Sequence, residues 1–324
     1  VRRKIIEFGV SVKFTCSETS CTTISRLILL KNGTHPIFVS KGNTVEFHFN
    51  LCRRSSGGME IIMRFTKMHG LGNDYLYVWG EAENPAELSV KLSERHFGAG
   101  SDGMIWISPS DVADFKMRIF NADGSEAKMC GNGIRCVGKY VYDKGYTDKK
   151  RLTIETLSGI RVLDLHVSGD KVKSVTVDMG QATAEEDLSL DIAGETVVCT
   201  PVSVGNPHAV QFVEDIEQAP LTTLGPVLEH HPAFPEGVNA EFVQVFGENE
   251  LRMRVWERGS GVTMACGTGA CASAAAAVKK GFCRYNTPIS VHLDGGTLKI
   301  QVAMDGTVTM TGPAETIYEG ETAV

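Results

Sequence analysis

An internal repeat constrains this chain more than any other feature. Lys116-Met-Arg-Ile-Phe-Asn-Ala-Asp-Gly-Ser-Glu-Ala-Lys-Met-Cys-Gly-Asn-Gly aligns without a gap on Arg252-Met-Arg-Val-Trp-Glu-Arg-Gly-Ser-Gly-Val-Thr-Met-Ala-Cys-Gly-Thr-Gly, 136 residues downstream. The Met, Arg, Cys and both glycines are identical, and Lys/Arg, Ile/Val and Phe/Trp are similar pairs. A second echo lies upstream, where Gly72-Asn73 answers Gly205-Asn206. Each half thus offers a Gly-Asn loop, a strand, a polar loop, a Cys-Gly-x-Gly turn and a helix. Two copies of roughly 130 residues predict a pseudo-symmetric pair of domains. A site between them would receive one cysteine from each.

The rest of the pattern predicts an α+β fold. Short apolar alternations bounded by turn residues recur at 152–155, 162–166, 172–178, 196–202, 241–245, 251–256, 289–293, 298–302 and 308–311, and read as strands. Helical patterns are fewer: 85–95, 130–144 and 266–281, the last with a run of small residues. Residues 44–51 alternate as a hairpin strand would, and Arg53-Arg-Ser-Ser-Gly-Gly reads as a linker.

Charge separates two kinds of material. The chain carries 32 Lys/Arg and 39 Asp/Glu, a net of −7, which gives no footing for a nucleic-acid partner. Residues 1–62 hold nine basic and four acidic side chains, and the remainder 23 and 35. The leading 62 residues are therefore expected to stand outside the working fold, with the native start at Met59 or Met63. Basic residues precede apolar ones at the start of the chain, but Glu7 and Lys13 interrupt them. We read no signal peptide and no membrane span there, and expect a cytoplasmic protein. The nine cysteines, odd in number and with no Cys-x-x-Cys, point to reduced thiols rather than disulfides or a zinc site.

Cys130 and Cys266 stand apart from the other cysteines, which read as small buried hydrophobes. Both occupy the same place in the repeat, ahead of Gly-x-Gly at a helix start. A helix N-terminus presents unpaired N–H groups and partial positive charge. It is expected to lower the thiol pKa there and to seat a carboxylate. Two such termini facing each other would hold a carboxylate and place a sulfur on either side of the adjacent carbon. That geometry suits inversion at the α-carbon of an amino acid. One cysteine, as thiolate, removes the proton, and the other, as thiol, returns one to the opposite face. The helix N–H groups would stabilise charge flowing onto the carboxylate.

From Met63 onward the chain resembles the diaminopimelate epimerase family. The matching motifs, in the family's order, are Lys67-Met-His-Gly-Leu-Gly-Asn-Asp, Phe120-Asn-Ala-Asp-Gly-Ser-Glu, Met129-Cys-Gly-Asn-Gly-Ile-Arg-Cys, Gly205-Asn-Pro-His, Val238-Asn-Ala-Glu-Phe, Glu257-Arg-Gly-Ser-Gly and Ala265-Cys-Gly-Thr-Gly-Ala-Cys. The resemblance implies two similar domains, each a curved, mostly antiparallel sheet around a central helix. They would span 63–178 and 179–312, with 313–324 returning to the first. It implies interconversion of LL- and meso-diaminopimelate in lysine and peptidoglycan precursor synthesis, no pyridoxal phosphate, no metal, and a homodimer. Cys130 and Cys266 match the family's base and acid. Gly131, Asn132, Gly267 and Thr268 match residues whose N–H groups hold the reacting carboxylate. Asn73, Asn121, Asn206, Asn239, Glu257 and Arg258 match those holding the amino groups and the distal carboxylate. His208 and Glu257 match residues that assist the cysteines. The chemistry agrees, since Arg binds carboxylates bidentately and Asn supplies donors and acceptors without net charge.

Plainer readings stand beside these. The asparagines also suit turns and caps. Glu257-Arg258 suits a surface ion pair, and His208 a satisfied core histidine. Ser101-Asp-Gly103 reads as a loop to which no role is assigned. A proline racemase or hydroxyproline epimerase is the nearest alternative enzyme. There the first motif carries His where this chain has Asn132. A non-catalytic amino-acid-binding protein would be expected to lose at least one cysteine, and residues 1–62 could form a separate interaction module.

Overall fold

Two successive strands and the turn between them set the pattern. Gly58–Gly70 runs into Asn73–Trp79 through Leu71 and Gly72, whose φ angles are 59° and 88°. Two positive φ values in a two-residue turn give the twist an antiparallel hairpin needs, and Gly70 faces Asn73 across it. The computed structural model describes the backbone of residues 51–55 and 58–324, with side chains from Ile62 onward. The expected strand at 44–51 and most of the leading segment lie outside the described residues. Arg53-Arg-Ser, read as linker, belongs instead to a strand, Leu51–Ser55, paired with Gly58–Gly70. Two strand-forming runs flanking a Ser-Gly-Gly signal make a hairpin junction as readily as a linker.

The repeat reappears as repeated topology. In the first half, Asn73–Trp79 pairs in parallel with Gly103–Ser108, which pairs antiparallel with Phe115–Asn121. That strand runs parallel to Arg151–Thr156, and Gly159–Ser168 and Lys171–Gln181 follow antiparallel. In the second half, Pro207–Phe212 pairs in parallel with Asn239–Gly247, then antiparallel with Glu250–Glu257. Ile289–Leu293 again joins in parallel, and Gly296–Val302 and Thr307–Pro313 close antiparallel. The last strands of the two halves pair with each other, Thr307–Pro313 on Lys171–Gln181. The C-terminal Glu315–Ala323 returns to pair with Gly58–Gly70.

Four α-helices complete the described fold, α1 (Pro85–Ser93), α2 (Gly131–Asp143), α3 (Leu221–Glu229) and α4 (Gly267–Lys279), with one short 3-10 helix at Ile216–Gln218. α2 and α4 are the central helices of the two halves. Every residue of α2 from Gly131 to Val141 is buried, and so is α4 from Gly269 to Val278. A helix buried all round packs on every face, and each polar side chain on it, such as Arg135 and Lys139 of α2, must find a partner. α4 packs through alanines, α2 through glycines where strands come close. A Cβ at Gly138 would lie 2.9 Å from the Leu163 and Leu165 methyls. One apolar core runs through both halves, from Ile134 and Val137 on α2 to Ala272 and Ala276 on α4. α3 carries no clear signal in sequence, because Gly225-Pro226 reads as a breaker. The glycine is there for contact, since a Cβ would lie 2.6 Å from Trp256.

Candidate active site

Cys130 and Cys266 are the residues immediately before α2 and α4, and both have extended backbones, φ/ψ −135°/117° and −109°/113°. Each sulfur accepts an N–H from three residues on, Gly133 at 3.3 Å and Gly269 at 3.3 Å. The first intrahelical donors are Ile134 and Ala270, bonded to the cysteine carbonyls. This is the geometry of an N-cap, with sulfur in the place usually taken by oxygen. The two helix starts abut. A Cβ on Gly267 would lie 3.6 Å from the Gly131 Cα, and Met310 packs beneath both glycines. Only residues without a Cβ let two helix termini approach this closely.

The expected lowering of the thiol pKa is not met. Burial raises the Cys130 thiol, and the N–H groups of Gly133 and Asn132 offset this only in part. Burial raises Cys266 further, helped by the carboxylates of Glu257 and Glu241. A thiol enclosed by protein loses hydration of its anion, and that cost outweighs the pull of one helix end.

Around Cys130, the thiol donates to Asn73 Oδ1 at 3.4 Å, and Asn73 Nδ2 donates to Asp102 Oδ2 at 2.9 Å. Asp102 also accepts the Asp74 N–H and an Arg95 N–H. The segment read as an unassigned loop therefore supplies the residue that holds Asn73. Gly103 is no loop residue, since it begins strand Gly103–Ser108 opposite Asn121. A Cβ there would lie 2.2 Å from Phe120 O and 2.9 Å from the Tyr75 ring. Buried Tyr75 interacts through its hydroxyl with Asn73 and Cys130. Asn121 ends its strand with Nδ2 donating to Ser125 Oγ inside its own turn.

Around Cys266, Thr268 Oγ1 lies 3.5 Å from the sulfur, and Asn206 Nδ2 donates to that hydroxyl at 3.4 Å. Asn206 Oδ1 lies 3.1 Å from His208 Nε2, and His208 Nδ1 lies 2.6 Å from Glu241 Oε1. His208 and Glu241 are both fully buried. Burial raises the Glu241 carboxyl, and His208 opposes that rise. Glu257 accepts a hydrogen bond from the Thr263 hydroxyl and interacts with Cys266. Burial raises its carboxyl too.

Asn132 and Asn239 spend their side chains on the protein. Asn132 Nδ2 donates to Ala265 O at 2.9 Å, bridging the two cysteine turns. Asn239 Nδ2 donates to Pro207 O, and its Oδ1 accepts the Arg258 N–H at 2.9 Å. Arg258 is exposed, with one guanidinium N–H donated to Glu236 O. The loop bearing Glu257 and Arg258 is held by Glu229 of α3, which accepts from Trp256 Nε1 at 2.7 Å and Gly259 N at 2.8 Å. Sequence reasoning assigned no role to Tyr75, Asp102, Glu229 or Glu241. Among the described residues, the cysteines are free, no cluster of three His, Cys, Asp or Glu could hold a metal ion, and no helix is long and apolar enough to cross a membrane.

Comparison with known proteins shows the family. The profile of the family described as Diaminopimelate epimerase matches residues 65–185 and 200–317. The diaminopimelate epimerase of Parabacteroides distasonis is 53% identical over 263 residues, covering 80% of this chain and 97% of its own. That of Bacillus licheniformis is 52% identical over 277 residues, covering 80% and 97%, and that of Methanococcus maripaludis 50% over 276 residues, covering 80% and 99%. Among solved structures, a Bacillus anthracis phenazine biosynthesis protein of the PhzF family superposes with a TM-score of 0.66 at 17% identity, covering 81% of this chain and 99% of that one. A hydroxyproline epimerase from Agrobacterium vitis, solved with trans-4-hydroxy-L-proline, gives 0.60 at 19%, covering 81% and 91%. These two share the fold. The profile across both halves, and relatives half identical along nearly their whole length, place this chain in the diaminopimelate epimerase family.

Proposed function

We propose that the protein interconverts LL- and meso-diaminopimelate without a cofactor, passing the α-proton between Cys130 and Cys266. The observation that carries this reading is the pair of cysteine N-caps on two abutting helix starts. A carboxylate seated on the first-turn N–H groups of Gly131, Asn132, Gly267 and Thr268 would meet two converging positive helix ends. Its α-carbon would lie between the two sulfurs. One thiolate removes the proton, and charge moves onto the carboxylate, where those donors stabilise it. The opposite thiol then delivers a proton to the other face.

The surrounding groups fit a substrate with two amino-acid ends. Glu257 offers a carboxylate to an ammonium, and His208, paired with Glu241, offers a proton store behind Asn206 and Cys266. Asn73, Asn121 and Asn206 supply uncharged donors and acceptors at the rim. Arg258, exposed and with one guanidinium N–H given to Glu236 O among the described residues, suits the distal carboxylate. Asn239 contributes by holding the Arg258 backbone. On this reading the protein works as a homodimer in the cytoplasm, forming a precursor of lysine and peptidoglycan. Sedimentation at working concentrations tests the dimer.

The deciding experiment is proton exchange. The protein is incubated in D₂O with LL-diaminopimelate and no added cofactor, beside Cys130→Ala and Cys266→Ala. Entry of deuterium at the α-carbon with formation of the meso isomer, and loss of epimerisation in both variants, is the expected result. Exchange of proline or hydroxyproline with diaminopimelate inert would keep the mechanism and change the substrate. No exchange while the thiols remain reactive would reject the catalytic reading.

A further inference from the structure

The two asparagines that answer each other upstream of the repeat, Asn73 and Asn206, both stand beside a helix-start cysteine, but their amides are held from opposite ends. Asn73 gives its Nδ2 to Asp102 Oδ2 at 2.9 Å and turns Oδ1 toward the Cys130 sulfur, 3.4 Å away. Asn206 sets Oδ1 3.1 Å from His208 Nε2 and turns Nδ2 toward the Thr268 hydroxyl at 3.4 Å, itself 3.5 Å from the Cys266 sulfur. An amide rotated by half a turn exchanges a donor for an acceptor with almost no change of shape. Its sense is therefore decided by what it meets.

At Asn73 the partner allows one sense only. A carboxylate accepts hydrogen bonds and does not donate them. With the amide reversed, Asn73 Oδ1 would face Asp102 Oδ2, two acceptors with no hydrogen between them. Asp102 is anchored by side chain and backbone alike. Its Oδ2 also accepts the Asp74 N–H at 3.1 Å, and its Oδ1 accepts from Arg95 Nη2 at 2.9 Å. Its own N–H donates to Asp74 O at 2.8 Å, and its carbonyl accepts the Ala122 N–H at 2.9 Å. Beside it, the Ser101 hydroxyl donates to Gly103 O at 2.9 Å, and Gly103 lies too close to Phe120 O for any Cβ. Residues 101–103 are thus built around the placing of one carboxylate. The second half has no such acid, since the residue 136 positions on is Val238, apolar and buried. There the asparagine is held from its oxygen, by an imidazole.

We propose that Asp102 is a positioning residue that locks the Asn73 amide with its carbonyl toward Cys130, so that the sulfur, and any substrate group bound beside it, meets a hydrogen-bond acceptor on that flank. The Cys266 flank, with Asn206 turned the other way, offers N–H and hydroxyl groups instead. The effect of Asp102 on catalysis rests on the two-cysteine reading, whereas the sense of the amide does not.

The test uses the full-length protein. The Asp102 side chain is 35% exposed, so its removal strands no buried charge, and Asp102→Ala is expected to fold. In that variant kcat for diaminopimelate epimerisation falls about tenfold, as for one misdirected hydrogen bond at the reacting centre. In an Asn73→Ala background the same substitution changes kcat by less than about twofold, because Asp102 acts through Asn73. Asp102→Asn keeps a carbonyl for Asn73 Nδ2 while exposed Arg95 turns to water, and recovers most of kcat. Losses that multiply in the double variant, or an Asp102→Asn as impaired as Asp102→Ala, would overturn the proposal. A second measurement needs neither substrate nor turnover. In protein labelled with ¹⁵N-asparagine, the Asn73 side-chain amide is identified by its loss in Asn73→Ala. One of its protons is expected to lie downfield and to exchange slowly, and in Asp102→Ala both return to the positions of a solvated amide. An Asn73 amide that is already solvent-like in the unsubstituted protein rejects the proposal even should no variant fold, and so does one left unmoved in folded Asp102→Ala. Failure of epimerisation with diaminopimelate would reject the function and leave this amide signature to decide the role of Asp102.

Discussion

At the scale of single residues, the site places two thiols and a carboxyl in surroundings that favour their neutral forms. Cys130, Cys266 and Glu257 are all raised by burial. A thiolate needed for proton removal is then scarce at low pH and grows as pH rises. We expect kcat/KM for epimerisation to climb from pH 6 through the alkaline side of neutrality, and a plateau reached below neutrality would contradict this. A second prediction concerns Gly269, where a Cβ would lie 2.7 Å from Glu241 Oε1 and 3.2 Å from the Cys266 sulfur. Both neighbours are buried and cannot swing away, so Gly269→Ala should cost about 1–3 kcal/mol in chemical denaturation and displace the thiol, lowering kcat. The cysteines and their glycines were legible in sequence because the repeat marks them twice. Glu241 was not, although it lies within a quoted motif. Its meeting with His208 depends on the parallel register that sets His208 beside Asn239, two positions away from it. Asp102 was hidden for the same reason, since its partner Asn73 comes from a neighbouring parallel strand region.

Among the elements, α3 acts as a brace. Glu229 at its end accepts two hydrogen bonds from the segment that carries Glu257 and Arg258. In Glu229→Gln one of those donors faces an amide NH₂ and loses its acceptor, a loss of roughly 1–3 kcal/mol. We predict a rise in KM for diaminopimelate larger than the fall in kcat, because on the proposed reading Arg258 holds the end of the substrate that does not react. Equal falls in kcat and kcat/KM would show the brace serves the reacting centre instead. The strands with clean alternation, such as Arg151–Thr156 and Leu298 to Val302, were readable because one face is wet and the other dry. Gly103–Ser108 escaped notice because every residue in it is buried and period two vanishes. Glu315–Ala323 escaped for the opposite reason, being mostly exposed. The pairing of Thr307–Pro313 with Lys171–Gln181, which links the halves, is a long-range register that no local pattern encodes.

For the whole molecule, the shared strand pair and the continuous core bind the halves into one cooperative body. Calorimetry of the segment from Met63 onward should show one unfolding transition, and two resolved transitions would mean the halves melt independently. Alkaline stability follows from the buried structural thiols. Burial pushes Cys136 up to about 11 and Cys271 up to about 12. Both are raised above their unfolded value, so the folded state binds more protons in that window. Their stabilisation is complete below the unfolded pKa and is lost as pH rises through 9 toward those values. The midpoint of thermal unfolding should therefore fall steadily above pH 9, and Cys271→Ala should flatten that fall.

Residue 135 is an arginine on α2, whereas its counterpart in the repeat, Cys271 on α4, is neutral. In a symmetric dimer of half-length chains, each substitution would appear on both flanks of the cleft at once. Joining two copies in one polypeptide releases that constraint, so that one flank can acquire a cation and the other acids. In one chain the two faces of a bound α-carbon can therefore meet different groups, which two identical halves would not allow.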